Sequence, residues 1–308
     1  MTTTAPPRAA GTSAAIWVPL VALWIVWGST YLGIAVTGRQ MPPFVSNGSR
    51  FAAAALALAI VVAVTKGPRA LAITWAQARA TAVMGVMLLG VGIGTLGLAE
   101  RFVPSGLAAL IVGLMPMWVV VFRMRAGDRP TRFTLIGVAI GIIGLAVMLL
   151  PGGTKPVSGS DTNVTLWSLA IVCSSFIWAL FSWRARKYDV PANSLVTAIW
   201  EMLFASAFLI GIGLIFGERL DLAAFPVEAW AGWGWLIIAS IIGYSAYSYL
   251  LAHAPMQLTA TYAFVNPVVA VALGYLILGE PITSDVALGL VVVVGGVSLV
   301  VLGERKPQ

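Results

Sequence analysis

Apolar residues fill the chain in ten long blocks, and polar or charged residues gather between them. The blocks run at about 16–37, 44–64, 77–99, 103–124, 131–150, 164–185, 193–216, 230–252, 256–278 and 284–302. A hydrocarbon core about 30 Å thick needs roughly 20 such residues per helical crossing. The pattern therefore predicts an all-α, polytopic membrane protein with ten transmembrane helices.

One block organises the others. Between His253 and Glu280 the chain carries no charge, and Pro267 sits inside the block directly after Asn266. Proline removes a backbone donor and bends a helix, and lipid offers the freed carbonyl no partner. A break near Pro267 is expected. The block Pro104–Asp128 repeats this layout. Pro104 to Pro116 spans the same interval as Pro255 to Pro267, and the two copies are offset by 151 residues, as are Trp27 and Trp178. Further on, Gly127-Asp128 matches Gly279-Glu280, and Gly137 and Gly144 match Gly289 and Gly296, at an offset of 152. A register held this far is an internal duplication. Paired, proline-interrupted helices in two halves point to the binding site of a secondary transporter, with Pro116 and Pro267 as hinges.

The duplication divides the chain into a polar N-terminal tail (1–15), a first five-helix repeat (16–150), a linker rich in Gly, Pro, Ser and Thr (151–163), a second five-helix repeat (164–303) and a C-terminal tail (304–308). The first block is too long for the apolar core of a signal peptide and reads as a retained helix. Basic residues set the orientation. Thirteen lie on the side of the termini (Arg8; Lys66, Arg69, Arg79; Arg123, Arg125, Arg129, Arg132; Arg184, Arg186, Lys187; Arg305, Lys306). Four lie opposite (Arg39, Arg101, Lys155, Arg219). Both termini are expected in the cytoplasm, with the chain multi-pass in the cell inner (plasma) membrane. Five helices per half is an odd number, so the two repeats must be inverted relative to each other.

Composition narrows the chemistry. The chain has 308 residues, of which 60% are hydrophobic and 9% charged, against about 25% charged in soluble domains. Its net charge of +7 reads as loops facing an anionic leaflet rather than as a nucleic-acid surface. A single Cys (Cys173), expected to be a small buried side chain, and a single His (His253), expected in a cap or loop role, leave no thiol- or His-based metal site. They also leave no Cys–His nucleophile. No P-loop occurs, so ATP does not drive the protein directly, and no cofactor is expected. Gly92-Ile-Gly94-Thr-Leu-Gly97 fits a dinucleotide fingerprint but lies inside a membrane block, where glycines let helices approach closely. The sequons at Asn47 and Asn163 fall at or within blocks and read as chance.

Two ionisable residues lie inside blocks, Arg50 and Glu201, themselves offset by 151. Charge at the bilayer centre costs roughly 2.5–3.5 kcal/mol on insertion scales, so it marks function or pairing. Arg50 falls about 9 Å below one surface and Glu201 about 12 Å from the other at 1.5 Å per residue, too far apart in depth for a direct ion pair unless the long Arg side chain reaches inward. Arg50 either meets a substrate carboxylate or snorkels to headgroups. Glu201 meets an ammonium group, carries a proton, or holds a structural hydrogen bond. Trp24, Trp27, Tyr31, Trp178, Trp200, Tyr244, Tyr247 and Tyr262 fall deep or on polar-flecked stretches of the blocks; of these Trp27, Tyr31, Trp178, Tyr244 and Tyr262 are expected to line an aromatic pocket, which with a few polar groups suits a small organic solute. Asn266 is its best-placed polar contact. Trp17, Trp75, Trp230 and Trp233 fit an interfacial belt.

With the repeat traced, the chain resembles the drug/metabolite transporter superfamily in its ten-helix EamA-type branch. The resemblance is carried by Trp27-Gly28-Ser29-Thr30-Tyr31; by Pro43 through Arg50-Phe51; by Val103-Pro104-Ser105-Gly106-Leu107-Ala108-Ala109-Leu110 through Pro116 with Gly127-Asp128; and by Tyr262 through Asn266-Pro267 with Gly279-Glu280-Pro281. It implies a secondary transporter that exports small metabolites by alternating access, amino acids foremost and aromatic ones in particular. Its expected partners are a small-molecule substrate and the lipid bilayer, with protons as a coupling ion and no oligomer required. A proton-coupled drug or sugar-type transporter is the alternative. A membrane-embedded enzyme on lipid-linked substrates would need clustered polar catalysts that the sequence lacks.

Overall fold

The computed structural model describes residues 14–38, 40–103, 108, 111–149, 161–219, 225–278 and 284–305. Among them are ten principal helices: α1 (Ala14–Gly38), α2 (Pro43–Lys66), α3 (Trp75–Ala99), α4 (Met115–Arg125), α5 (Arg132–Leu149), α6 (Asp161–Arg184), α7 (Ser194–Ile215), α8 (Val227–His253), α9 (Tyr262–Leu278) and α10 (Ser284–Arg305). Six of them, α1, α2, α3, α6, α7 and α8, are long and apolar enough by themselves to cross a membrane. Residues 151–160 of the linker, Pro104 and Gly279-Glu280 lie outside the described residues, and the last three residues assigned to the linker begin α6.

Helix contacts obey the exchange of the two halves. α5 packs on α10 and α2 on α7, each a pair of repeat mates. α1 lies against α8 and α9 of the other half, and α6 lies reciprocally against α3 and α4. Each half thus lends its first helix to the other. Because each half has five helices, the exchange also inverts the chain. The ends of α1 and α3 and the start of α2 share one face (the Gly38 face), with the end of α7. The ends of α2, α6 and α8 share the opposite, Lys66 face.

Side-chain contacts repeat the same symmetry. A Cβ on Gly92 would strike the Trp178 ring at 2.5 Å, and a Cβ on its mate Gly243 would strike the ring of Trp27, the mate of Trp178. Gly94 and Gly97 likewise lie against Leu209 and Asn47. The glycine triplet is a set of close approaches, as expected of such residues in membrane helices. Gly137 and Gly144 meet the backbone of Gly296 and Val293, so the α5–α10 contact is made within one chain.

Helix ends are satisfied across elements. α3 begins with a capping box, Thr74 with Gln77. α2 has Pro42 at its cap position and no side-chain cap of its own. The Glu218 carboxylate, from beyond α7, accepts from Phe44 N at 3.0 Å and Val45 N at 2.8 Å instead. At the other face Trp200 Nε1 donates to Leu71 O at 3.1 Å, tying the start of α7 to the chain beyond α2. Arg186 closes the end of α8 through Leu251 O and Ala254 O. A buried helix terminus without such partners is costly.

Several expectations need correction. α9 runs through Pro267 without a break; the chain turns earlier, at Ala260–Thr261, where the Thr261 hydroxyl donates to Leu258 O. Pro116 stands in the first turn of α4, where its missing N–H has no intrahelical role. Pro267 thus breaks no span, whereas Pro116 follows directly on a turn at Gly113–Leu114 that interrupts the expected span 103–124 near its middle. Cys173 is exposed rather than buried, because its side of α6 faces outward from the bundle. The π-helical stretch Val86–Ile93 within α3 carries no sequence signal that was recognised. It begins after Gly85, whose missing side chain admits the backbone of Glu201.

Gly243→Ala should lower the apparent thermal midpoint in detergent by the equivalent of about 1–3 kcal/mol, the cost of overpacking against a ring. Gly211→Ala, at a position with open space around the missing side chain, should leave the midpoint unchanged or raise it. Equal midpoints for the two variants would contradict the Gly243–Trp27 packing.

Candidate functional site

Trp27 is the hub of the core. Its ring lies 4.9 Å from Tyr262, 5.0 Å from Tyr247, 5.2 Å from Tyr244 and 5.8 Å from Trp178, centroid to centroid. These rings converge because α1 and α6, each carrying a tryptophan, cross the symmetry axis onto α8, α9 and α3. Ring pairs in edge-on or tilted geometry add about 0.5–1.5 kcal/mol each beyond burial.

A cavity of about 80 Å³ opens from this cluster toward the Gly38 face. Seven of the eight residues expected to bind substrate line it: Trp27, Tyr31, Arg50, Trp178, Tyr244, Tyr262 and Asn266. Thr30, Ser174, Ser175 and Ser240 add hydroxyls. The room suffices for a handful of waters, and an amino acid requires it to widen. The eighth residue, Glu201, lies outside the lining. It is 5% exposed, and its carboxylate accepts from Ser248 Oγ at 3.4 Å. No ion pair joins it to Arg50.

Two buried polar atoms on the cavity stand without hydrogen-bond partners: Arg50 Nε and Asn266 Oδ1. Both side chains are 3% exposed. The Arg50 guanidinium does not snorkel outward; it lies 4.7 Å from the centroid of the Phe51 ring. Buried polar groups are nearly always paired, so an orphaned donor and an orphaned acceptor on one cavity mark a place where a ligand can complete the set. Ser175 Oγ, also on the lining, is a third such atom.

Tyr247 closes the opposite end. Its hydroxyl accepts from Trp178 Nε1 at 2.8 Å and bonds Ser182 Oγ at 2.5 Å. Beyond Ser182 a second cleft of about 330 Å³ opens toward the Lys66 face, lined by Arg123, Asp128, Trp183 and Arg186. Tyr247 thus stands between an apolar central cavity and a charged cleft.

Sequence reading missed several of these residues. Tyr247 was grouped with the deep aromatics but not assigned to the site, and only its contacts separate it from them. Ser174 and Ser175 precede Trp178 by one helical turn, a signal that was available. Glu100 falls between the third and fourth blocks, and it lies within electrostatic range of both Arg50 and Tyr31. Trp24 borders a separate apolar cleft near Trp17 and donates to Thr261. His253 stacks on Tyr249 at the end of α8, and Asn47 is buried and bonded to Pro43 O.

This arrangement agrees with the comparison to known proteins. The model of the EamA-like transporter family matches residues 12–150 and 165–302, one match per half. The chain belongs to the EamA-like transporter family. It is 35% identical over 290 residues to the inner membrane transporter YedA of Escherichia coli (strain K12), covering 92% of this chain and 90% of YedA. It is also similar to the transporter YoaV of Bacillus subtilis (strain 168), at 20% identity over 294 residues, covering 92% and 95% of the two chains. With protein PagO of Salmonella typhimurium it shares 24% identity over 285 residues, covering 92% and 91%. A protein of known crystal structure superposes with a TM-score of 0.77 at 20% identity, over 96% of this chain and 99% of that one, a likeness of fold. As an EamA-like protein the chain is a polytopic membrane transporter of the drug/metabolite type.

Proposed function

We propose that this transporter carries small zwitterionic metabolites, amino acids with aromatic side chains among them, outward across the cell inner membrane by alternating access. The observation that carries the reading is the pair of unpartnered buried atoms, Arg50 Nε and Asn266 Oδ1, on one aromatic cavity. A guanidinium offers a fork of donors that matches a carboxylate. An amide oxygen accepts from an ammonium group. The edges and faces of Trp27, Trp178, Tyr244 and Tyr262 suit a flat apolar side chain between those two ends. The family membership supports transport, and the resemblance to EamA-type exporters supports the outward direction.

L-Phenylalanine flux in proteoliposomes tests the site. Arg50→Ala and Asn266→Ala should each raise KM roughly 10- to 100-fold, the value of one hydrogen bond to a charged group. Arg50→Lys should fall between, because it keeps the charge and loses the fork. Wild-type kinetics in both alanine variants would remove this cavity from the transport path.

The Gly38 face is proposed as the outer one, from the 13-to-4 distribution of basic residues. In a Cys173→Ser background, Arg219→Cys should react with an impermeant maleimide from outside and Arg69→Cys from inside; both positions are exposed. The reverse pattern would invert the topology.

Glu201 is the proposed carrier of a coupling proton. It is buried, holds one long hydrogen bond, and lies within electrostatic range of the Tyr244 and Tyr247 hydroxyls. Glu201→Gln should flatten the pH dependence of transport. An unchanged pH profile and rate would make Glu201 structural.

A further inference from the structure

Arg50 is a buried guanidinium, and a charge taken out of water has to be balanced nearby. Its repeat mate does not do this: Glu201 lies off the cavity and bonds Ser248. The acid comes from α3 instead. Gly92, Ile93 and Leu96 line the cavity, and Glu100 stands one helical turn beyond Leu96, its N–H donating to Leu96 O at 3.0 Å. Residues four apart share a helix face, so Glu100 continues the lining stripe toward the Gly38 face. Both its carboxylate oxygens are withdrawn from solvent. It lies within electrostatic range of Arg50 and of Tyr31, both on the lining. The end of α3 that carries it is held in place. Ala99 and Val103 are fully buried with Ile171 of α6, and Arg101 Nε donates to Gly38 O at 3.4 Å. Arg50 and Glu100 thus give the empty cavity one charge of each sign.

We infer that Glu100 is a specificity-determining residue, which makes the cavity select zwitterions over simple carboxylates and simple amines. The reasoning is a charge count in a medium that screens poorly. With Arg50 and Glu100 both ionised, the cavity is neutral when empty. A zwitterion leaves it neutral. A monocarboxylate that reaches Arg50 adds a second negative charge beside Glu100, and an amine adds a second positive charge beside Arg50. Like charges brought together away from water repel strongly. Discrimination therefore comes from a repulsive element as much as from an attractive one. Asn266 cannot supply it, because an amide is neutral whatever the ligand carries. Glu100 also sets the terms on which Arg50 binds: the guanidinium is balanced without substrate, so a carboxylate alone gains little by taking over from the acid already there. A partner of Arg50 with only a structural role would weaken all ligands alike, whereas this one sorts them by net charge. The inference rests on the function proposed above, which places the substrate in this cavity.

The test measures binding of three ligands with the same ring to the purified full chain: L-phenylalanine, 3-phenylpropionate, which lacks the ammonium group, and 2-phenylethylamine, which lacks the carboxylate. The wild type should prefer phenylalanine to either analogue by about tenfold or more, the worth of one charge-assisted interaction. Glu100→Gln should shrink the preference over 3-phenylpropionate about tenfold, because the zwitterion loses the acid that balances its ammonium group and the carboxylate loses its repulsion. Glu100→Asp should keep most of the preference. An equal effect of Glu100→Gln on both ligands makes Glu100 structural and overturns the inference. Arg50→Gln should tighten 2-phenylethylamine about tenfold, and Arg50→Gln/Glu100→Gln should lose that gain. No gain in Arg50→Gln overturns the inference too, and this arm stands even if Glu100→Gln alone does not fold. Thermal midpoints without ligand form the last arm. Each single glutamine variant should lower the midpoint by leaving one buried charge unbalanced, and the double variant should fall no further than either. Additive losses would overturn the charge balance. If the wild type binds none of the three ligands, the function proposed above falls, while the midpoints still decide whether Glu100 balances Arg50.

Discussion

The structure depends on two glycines that carry nothing. Gly92 and Gly243 leave room for the rings of Trp178 and Trp27, each tryptophan coming from the opposite half. Lipid offers little hydrophobic reward for helix association, so contact area and close backbone approach must supply it. A flat indole laid on a bare helix surface provides both. The two contacts draw α1 onto α8 and α6 onto α3. They hold Trp27 and Trp178 5.8 Å apart at the axis, and they set the aromatic floor on which the cavity rests.

Around that floor the scaffold divides into parts that can and cannot move independently. α5 and α10 meet backbone to backbone through their glycines, and α2 and α7 are tied at both ends, by Glu218 to the start of α2 and by Trp200 to Leu71 O. These pairs are firm because each buries a helix terminus or a peptide surface that has no alternative partner in lipid. The contacts around Tyr247 are different in kind. They are side-chain hydroxyl and indole bonds, and they close no helix end. A transporter needs both classes: bonds whose loss costs too much to break in a cycle, and bonds whose partners can be exchanged for solvent or substrate.

Charge is placed sparingly and asymmetrically. Arg50 and Glu201 occupy equivalent positions in the two halves, yet one faces the cavity and the other is packed away. A symmetric pair of like charges would repel when brought near one axis, and a symmetric pair of apolar residues would bind nothing charged. Opposite charges at mated positions avoid that repulsion. Glu100, within range of Arg50, adds a carboxylate to that electrostatic setting without being its repeat mate.

Much of this was legible in the residues. The ten blocks, the inverted repeat, and Trp27, Tyr31, Arg50, Trp178, Tyr244, Tyr262 and Asn266 as one group follow from hydrophobicity and from the offset of 151, because lipid imposes length on every helix and duplication imposes register. The sequence also separates Arg50 from Glu201 in depth, since helical rise converts position into distance. Tertiary structure alone decided which mates line the cavity and which are packed away, because a symmetric pattern does not say which copy of a mated position lies open. It moved the break from Pro267 to Ala260–Thr261, since a turn forms where a side chain satisfies the backbone, and Thr261 does that. It turned Cys173 outward, because an all-apolar helix carries no stripe to mark the face it buries. It joined Tyr247 to Trp178 and Ser182, because nothing in a run of aromatic residues tells which ring will find both an indole and a hydroxyl within reach.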